Sequence, residues 1–337
     1  MMSKIDDSLY IDILSEIAKS IHSNYLYTLS NCNVILNHII HQPTFVKKSL
    51  YSINNNMKRL IEGKNRNNFF ETNELEWIVH GGHLEIYKQY MLMYSDYYRP
   101  LYETSKSYTT CVILRYAALG GHIHMCEYII DLFKITNLKW ALAGAAEGGH
   151  FELCKQFILS GHFINLNFAL KCAAGGNHMD ICNHFILLGA SDFYEALNAA
   201  ASEGHLEMCK HIVPLNRIGI DEALINASEN GHLHICVYLI SIGVTKYNTF
   251  NNAFCYAAGS GHLHICKYIL SQTSFESIDL NDALYFVASS NQLESCKYIL
   301  SLKSFKYADF AEPLEIADEH HGVYQYLLEQ QMIYNDI

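Results

Sequence analysis

The stretch "GHLHICKYIL", Gly261 to Leu270, sets His262, His264 and Cys266 two residues apart from one another. Imidazole nitrogen and thiolate sulfur are the usual zinc ligands, and a thiolate beside an imidazole is a nucleophile. Metal binding and covalent catalysis are therefore the first chemistries to weigh. Helical geometry argues against the metal. His262 and Cys266, at i and i+4, share a face, and His264 is turned roughly 200° away. The three side chains cannot converge on one ion.

Other reactive patterns are missing from the chain. It has no phosphate-loop signature, no dinucleotide-binding glycine pattern after a strand, no nucleophile elbow and no H-E-x-x-H pair. Glycine pairs such as Gly120-Gly121 and Gly148-Gly149 recur at a fixed spacing, as do the carboxylates Glu147, Glu203 and Glu229. Recurrence of that kind marks turns and a solvated edge. The expectation is a protein with no catalytic residues, no cofactor and no metal.

The same stretch returns along the chain. Copies begin at Gly82, Gly121, Gly149, Asn177, Gly204 and Gly231, and a weaker one at Asn291. The histidine of each copy serves as a marker: His83, His122, His150, His178, His205, His232 and His262, with Gln292 in the next place. After a longer first step, the period is about 27–30 residues. Five and four residues before the marker stand small pairs such as Ala117-Ala118, Ala173-Ala174 and Ala257-Ala258. Apolar positions recur at three and four residues on both sides of the marker, a helical period. Gly or Asn before the marker is a break that takes positive φ. Each unit reads as helix, tight turn, antiparallel helix.

This pattern resembles the ankyrin repeat, T-P-L-H-x-A-A-x-x-G-H-L-x-x-V-x-x-L-L, over roughly residues 71–331. The resemblance implies an all-α solenoid with short loops, an elongated curved surface, and protein partners bound through loop tips and the variable positions before the glycine. The sequence departs from it in lacking Thr-Pro; Glu312-Pro313-Leu314 is the nearest approach. The short period implies stubby β-hairpin fingers. Shortened copies rich in Asn, Ile and Tyr are similar in style to those of large DNA viruses and amoebal organisms.

In the repeat pattern, Cys126, Cys154, Cys182, Cys209, Cys236, Cys266 and Cys296 fall in a buried valine slot, where a thiol acts as a small hydrophobe. His264 shares its slot with Glu85, Glu152 and Glu207 in other copies, so it faces solvent. The marker histidine is expected to cap the turn and bond backbone of its own or the next repeat. Tyr128, Tyr238, Tyr268, Tyr298 and Tyr326 form a half-exposed ladder on the second helices. Candidate partner-binding residues are Tyr194, Arg217 and Tyr247, because aromatic and arginine side chains dominate interfaces, and Glu147 and Glu229, which hold variable positions just before the turn. The long connection from Met93 to Tyr108 is a further candidate.

Residues 1–70 do not show the repeat and read as a helical N-terminal region; 332–337 form a tail. Leu9, Ile13, Leu14, Ile17 and Pro43 resemble the F-box, whose pattern opens L-P-x-E-I-L-x-x-I. Tyr10 stands where that family has proline. The resemblance implies docking to the Skp adaptor of a cullin ubiquitin ligase, with the repeats selecting substrate.

Composition sets the outer bounds. The chain of 337 residues is half apolar and carries a net charge of −11, which disfavours broad nucleic-acid binding. Asp6, Asp7 and Asp12 interrupt any secretory leader, and no apolar run suffices to span a membrane. An odd count of 11 cysteines without disulfide spacing fits free thiols in a reducing, intracellular and cytoplasmic setting, the host cytoplasm if the chain is viral.

Overall fold

The computed structural model describes residues 79–93, 108–244, 248–273, 278–302, 309–317 and 322–335. The chain divides into two compact units, Met1–Ile164 and Asn165–Ile337. Among the described residues the regular structure is helical. Among them a single isolated bridge, Asn137 to Phe163 in the first unit, is parallel and joins two loops, so it is not a hairpin finger.

The first unit holds α1 (Leu84–Met93), α2 (Tyr108–Leu119), α3 (Ile123–Phe133), α4 (Lys139–Glu147) and α5 (Phe151–Leu159). The second holds five successive pairs and a terminal one. These are α6 (Leu166–Gly175) with α7 (Met179–Leu187), α8 (Phe193–Ser202) with α9 (Leu206–Ile212), and α10 (Ile220–Glu229) with α11 (Leu233–Ser241). Then come α12 (Thr249–Gly259) with α13 (Leu263–Gln272), α14 (Leu280–Ser289) with α15 (Leu293–Leu300), and α16 (Ala311–Ile316) with α17 (Gly322–Asn335). The last helix runs past residue 331 into the stretch expected to be tail, and Met332 and Ile333 are exposed there.

Three of the first helices are started by a side-chain cap. Asn165, Asp192 and Asp279 accept hydrogen bonds from backbone N–H groups of the following turn, satisfying donors that a helix start leaves unpaired. From α2 to α14 each first helix is followed by a left-handed residue, such as Gly231 at φ +83°, whereas α16 ends in extended Ala317. The marker N–H then reaches back five residues, as His232 N does to Ala227 O at 2.8 Å. Asn177 and Asn291 take the same conformation where glycine is absent.

The two helices bury different side chains. First helices pack on one another within each unit, α2 on α4 in the first, and α6, α8, α10, α12, α14 and α16 in series in the second. The alanine pairs between them are fully buried, and their small size is what lets the axes approach. Second helices bury the positions three, four and seven residues after the marker, for example Ile265, Cys266 and Ile269. The positions one and eight residues after it, expected in the core, are mostly half-buried. Burial pushes the thiols of Cys126, Cys182, Cys209, Cys266 and Cys296 up to about 12. They stay protonated and behave as apolar filling.

Candidate functional site

The marker histidines act between repeats. Each occupies the N-cap position of a second helix but makes no side-chain cap bond. In the first unit, Nε2 of His122 pairs with His80 O at 2.7 Å, and that of His150 with Leu119 O at 2.9 Å. In the second, His205 pairs with Gly175 O at 2.9 Å and His232 with Ser202 O at 2.8 Å. A carbonyl only accepts, so these Nε2 atoms carry the proton. The carbonyls belong to the preceding repeat, three residues before its marker, at the end of its first helix. This corrects the expected cap on the histidine's own or the following repeat: the ring is too long to fold back on its own N-terminus and instead spans to the neighbour's unpaired helix end.

The glycine before a marker is part of the same contact at Gly82, Gly121, Gly204 and Gly231. A Cβ on Gly231 would lie 2.8 Å from Cε1 of His262. Glycine is thus required twice, by the left-handed backbone and by the next ring resting on it. Gln292 replaces histidine against Gly261.

A second set of bridges was not anticipated. Eleven residues before the marker, an Asn or Asp side chain holds the loop that opens the next repeat. Asn167 Oδ1 accepts from Ser191 N at 2.8 Å, Asn251 Oδ1 from Asp279 N at 2.7 Å, and Asn281 Oδ1 from Asp309 N at 2.9 Å. Asp221 Oδ1 accepts from the Thr249 hydroxyl at 2.8 Å. The signal lay in the sequence as a recurring Asn or Asp at that slot. The repeat pattern obscured it because side chain and partner belong to different copies.

Tyr194 occupies this same slot. A Cβ on Gly219 would meet its ring at 2.7 Å, so the tyrosine covers the next loop. Arg217 donates through Nη2 to Ile242 O. Glu147, in the first unit, accepts an ion pair from Arg115 of the preceding repeat. These three expected contact residues are engaged in holding repeats together. Tyr247, the F-box-like residues Leu9, Ile13, Leu14, Ile17 and Pro43, and the connection 94–107 lie outside the described residues. Glu229 differs from the others: its carboxylate is exposed, and its backbone carbonyl accepts the bond from His262.

His264 is exposed, as its slot required, and lies beside His262 with ring centroids 5.9 Å apart. Among the described residues no group of His, Cys, Asp and Glu is placed to hold a metal ion. No helix there is long and apolar enough to cross a membrane.

The first helices of the second unit also carry exposed side chains. Tyr256 and Tyr285 are each 37% exposed, and Phe286 touches both rings, at 5.1 and 6.1 Å between centroids. Glu203, Glu222, Glu229, Asp282 and Glu312 are exposed on or at the ends of the first helices from α8 to α16.

Stacked helix pairs joined by tight turns, with buried alanine pairs and neighbour-to-neighbour bonds, define an ankyrin-type helical repeat solenoid. Residues 197–282 and 224–311 match the family model described as ankyrin repeats, in three copies. Ankyrin repeats are therefore found over residues 197–311, and such repeats point to protein–protein interaction. A search of curated proteins finds no match to the chain.

Proposed function

We propose that this protein is a non-catalytic interaction scaffold whose ankyrin repeats bind a protein partner. One observation carries the reading. The residues that repeat are spent on the frame, as buried alanines, buried thiols and bridging histidines, while the slots that vary point outward on the first helices. A constant frame beneath variable exposed side chains is how repeat proteins present a binding surface. Affinity capture with the full chain followed by mass spectrometry tests it. The expected result is a protein that is retained reproducibly and lost when Glu229 and Tyr256 are replaced together. Retention of nothing beyond background would overturn the reading.

A ubiquitin-ligase substrate adaptor is the second reading, supported by the F-box-like pattern of Leu9, Ile13, Leu14, Ile17 and Pro43. Its partner would be the Skp adaptor. The full chain should then retain that adaptor, and the Leu9→Ala, Ile13→Ala, Leu14→Ala variant should not. Equal retention by both, or by neither, removes this reading.

A further inference from the structure

We infer that the outward face of α8 to α14 docks a Lys/Arg-rich segment of the protein partner, with carboxylates pairing its cations and Tyr256 and Tyr285 receiving them on their ring faces. The inference rests on the protein-binding reading above and adds the chemistry of the partner.

The two helix layers of the second unit treat acidic side chains differently. On the second helices, Glu207 pairs with Lys210 and Glu294 with Lys297, each at 2.8 Å and three residues apart. On the first helices from α8 to α16 there is no lysine or arginine at all. Lys171, on α6, is the neighbouring cation, and it is already taken by Glu195 at 2.6 Å.

Helix electrostatics account for only part of this acidity. Glu222 and Asp282 lie in first turns, where the positive end of the helix favours a carboxylate. Glu203 and Glu229 stand at the opposite ends of α8 and α10, where the same dipole disfavours them. Both are exposed, and neither makes an ion pair among the described residues. They cost the fold something and return nothing to it, as expected of groups kept for an external cation.

The aromatic side chains sharpen the choice of partner. Tyr285 stands one helical turn after Asp282 on α14, the Tyr256 ring on α12 lies 5.1 Å from that of Phe286, and Asp282 Oδ2 accepts from Asn251 of α12 at 3.3 Å. A tyrosine face next to a carboxylate suits arginine, which stacks and pairs at once. A nucleic acid is repelled by this face, and an acidic or wholly apolar segment would leave the carboxylates desolvated and unpaired. The cation-bearing partner is thus the one the surface fits. Tyr194 and Arg217 are excluded from it because they bracket neighbouring repeats.

The test uses the full chain and a fluorescein-labelled peptide of repeated Gly-Arg-Ser-Lys, with a photo-reactive benzoylphenylalanine at its centre. Binding is followed by anisotropy at about 50 mM salt, where exposed charges are weakly screened. Replacing Glu203→Gln, Glu229→Gln and Asp282→Asn together should weaken binding about tenfold or more. Replacing Asp180→Asn, Glu207→Gln and Glu294→Gln changes net charge equally on the second helices and should weaken it about threefold at most. Tyr285→Leu, which keeps apolar volume but removes the ring face, should cost about threefold. Cross-links should fall between Glu203 and Ser289. Equal losses in the two triple variants, cross-links on the second helices, or no saturable binding to the wild-type chain would each overturn the inference. If affinity capture still recovers a protein partner equally with both triple variants, the scaffold reading stands and this one falls. If the wild-type chain recovers none, the scaffold reading itself fails.

Discussion

Gly231 and His262 show how much one turn depends on a pair of residues. At Gly231 two penalties coincide, the φ of +83° and the imidazole 2.8 Å from any added Cβ. Gly243 carries only the first, at φ +90° with nothing within 4 Å. Gly243→Ala should cost about 1 kcal/mol and Gly231→Ala about 2 kcal/mol or more, read from urea midpoints. Equal costs would mean that the ring moves aside freely. The imidazoles also couple the stack to pH. Burial holds His262 below its ordinary value, aided by the nearby His264; burial does the same to His122, with His150 adding to it. A depressed histidine binds its proton more readily in the unfolded chain, so stability rises with pH through this range. Its contribution is complete above the unfolded value near 6.5 and is lost as pH falls from there toward the folded value. The urea midpoint should be lower near pH 5.5 than near pH 7.5, and His262→Gln should flatten that slope. A midpoint indifferent to pH would show that protonation of these rings costs the folded chain nothing.

Helix pairs were the most legible part of the sequence. The three-and-four spacing, the alanine pairs and the glycine break placed each turn, because every one of those signals lies inside a single copy. The bridges between copies were not legible in the same way. Tyr194, Arg217 and Glu147 read as contact residues since aromatic and charged side chains at loop tips and turns usually face a partner. Their targets, Gly219, Ile242 O and Arg115, lie about 25–32 residues away, and no local period exposes that pairing. Buried thiols offer a way to watch the elements separately. Cys236 on α11 and Cys296 on α15 are both fully buried, and burial pushes their thiols up to about 11 and about 12. Neither should react until its helix pair opens. In a nearest-neighbour stack the pair beside a short terminal unit opens more often, and α16 has six residues. Alkylation followed by mass spectrometry should label Cys296 about tenfold faster than Cys236. Identical rates would show that the second unit opens as one block.

Charge is set out at the scale of the whole chain, which carries −11. In the second unit the excess is concentrated on the first helices, and the second helices are nearly balanced by their Glu–Lys pairs. Stacked helices lie about 8–10 Å apart, close to one Debye length at 0.1 M salt, so carboxylates on neighbouring first helices repel measurably at low ionic strength. Glu203 and Glu229 add an unfavourable dipole interaction at their helix ends. Neutralising both, as Glu203→Gln with Glu229→Gln, should therefore stabilise the folded chain by about 0.5–1 kcal/mol at low salt. The gain should fade toward zero near 0.5 M salt, where those terms are screened. A surface that becomes more stable when two exposed acids are removed has retained them for a purpose other than folding. Destabilisation by the pair of substitutions, or a gain that salt leaves unchanged, would instead place these carboxylates in the frame with Glu147 and Tyr194.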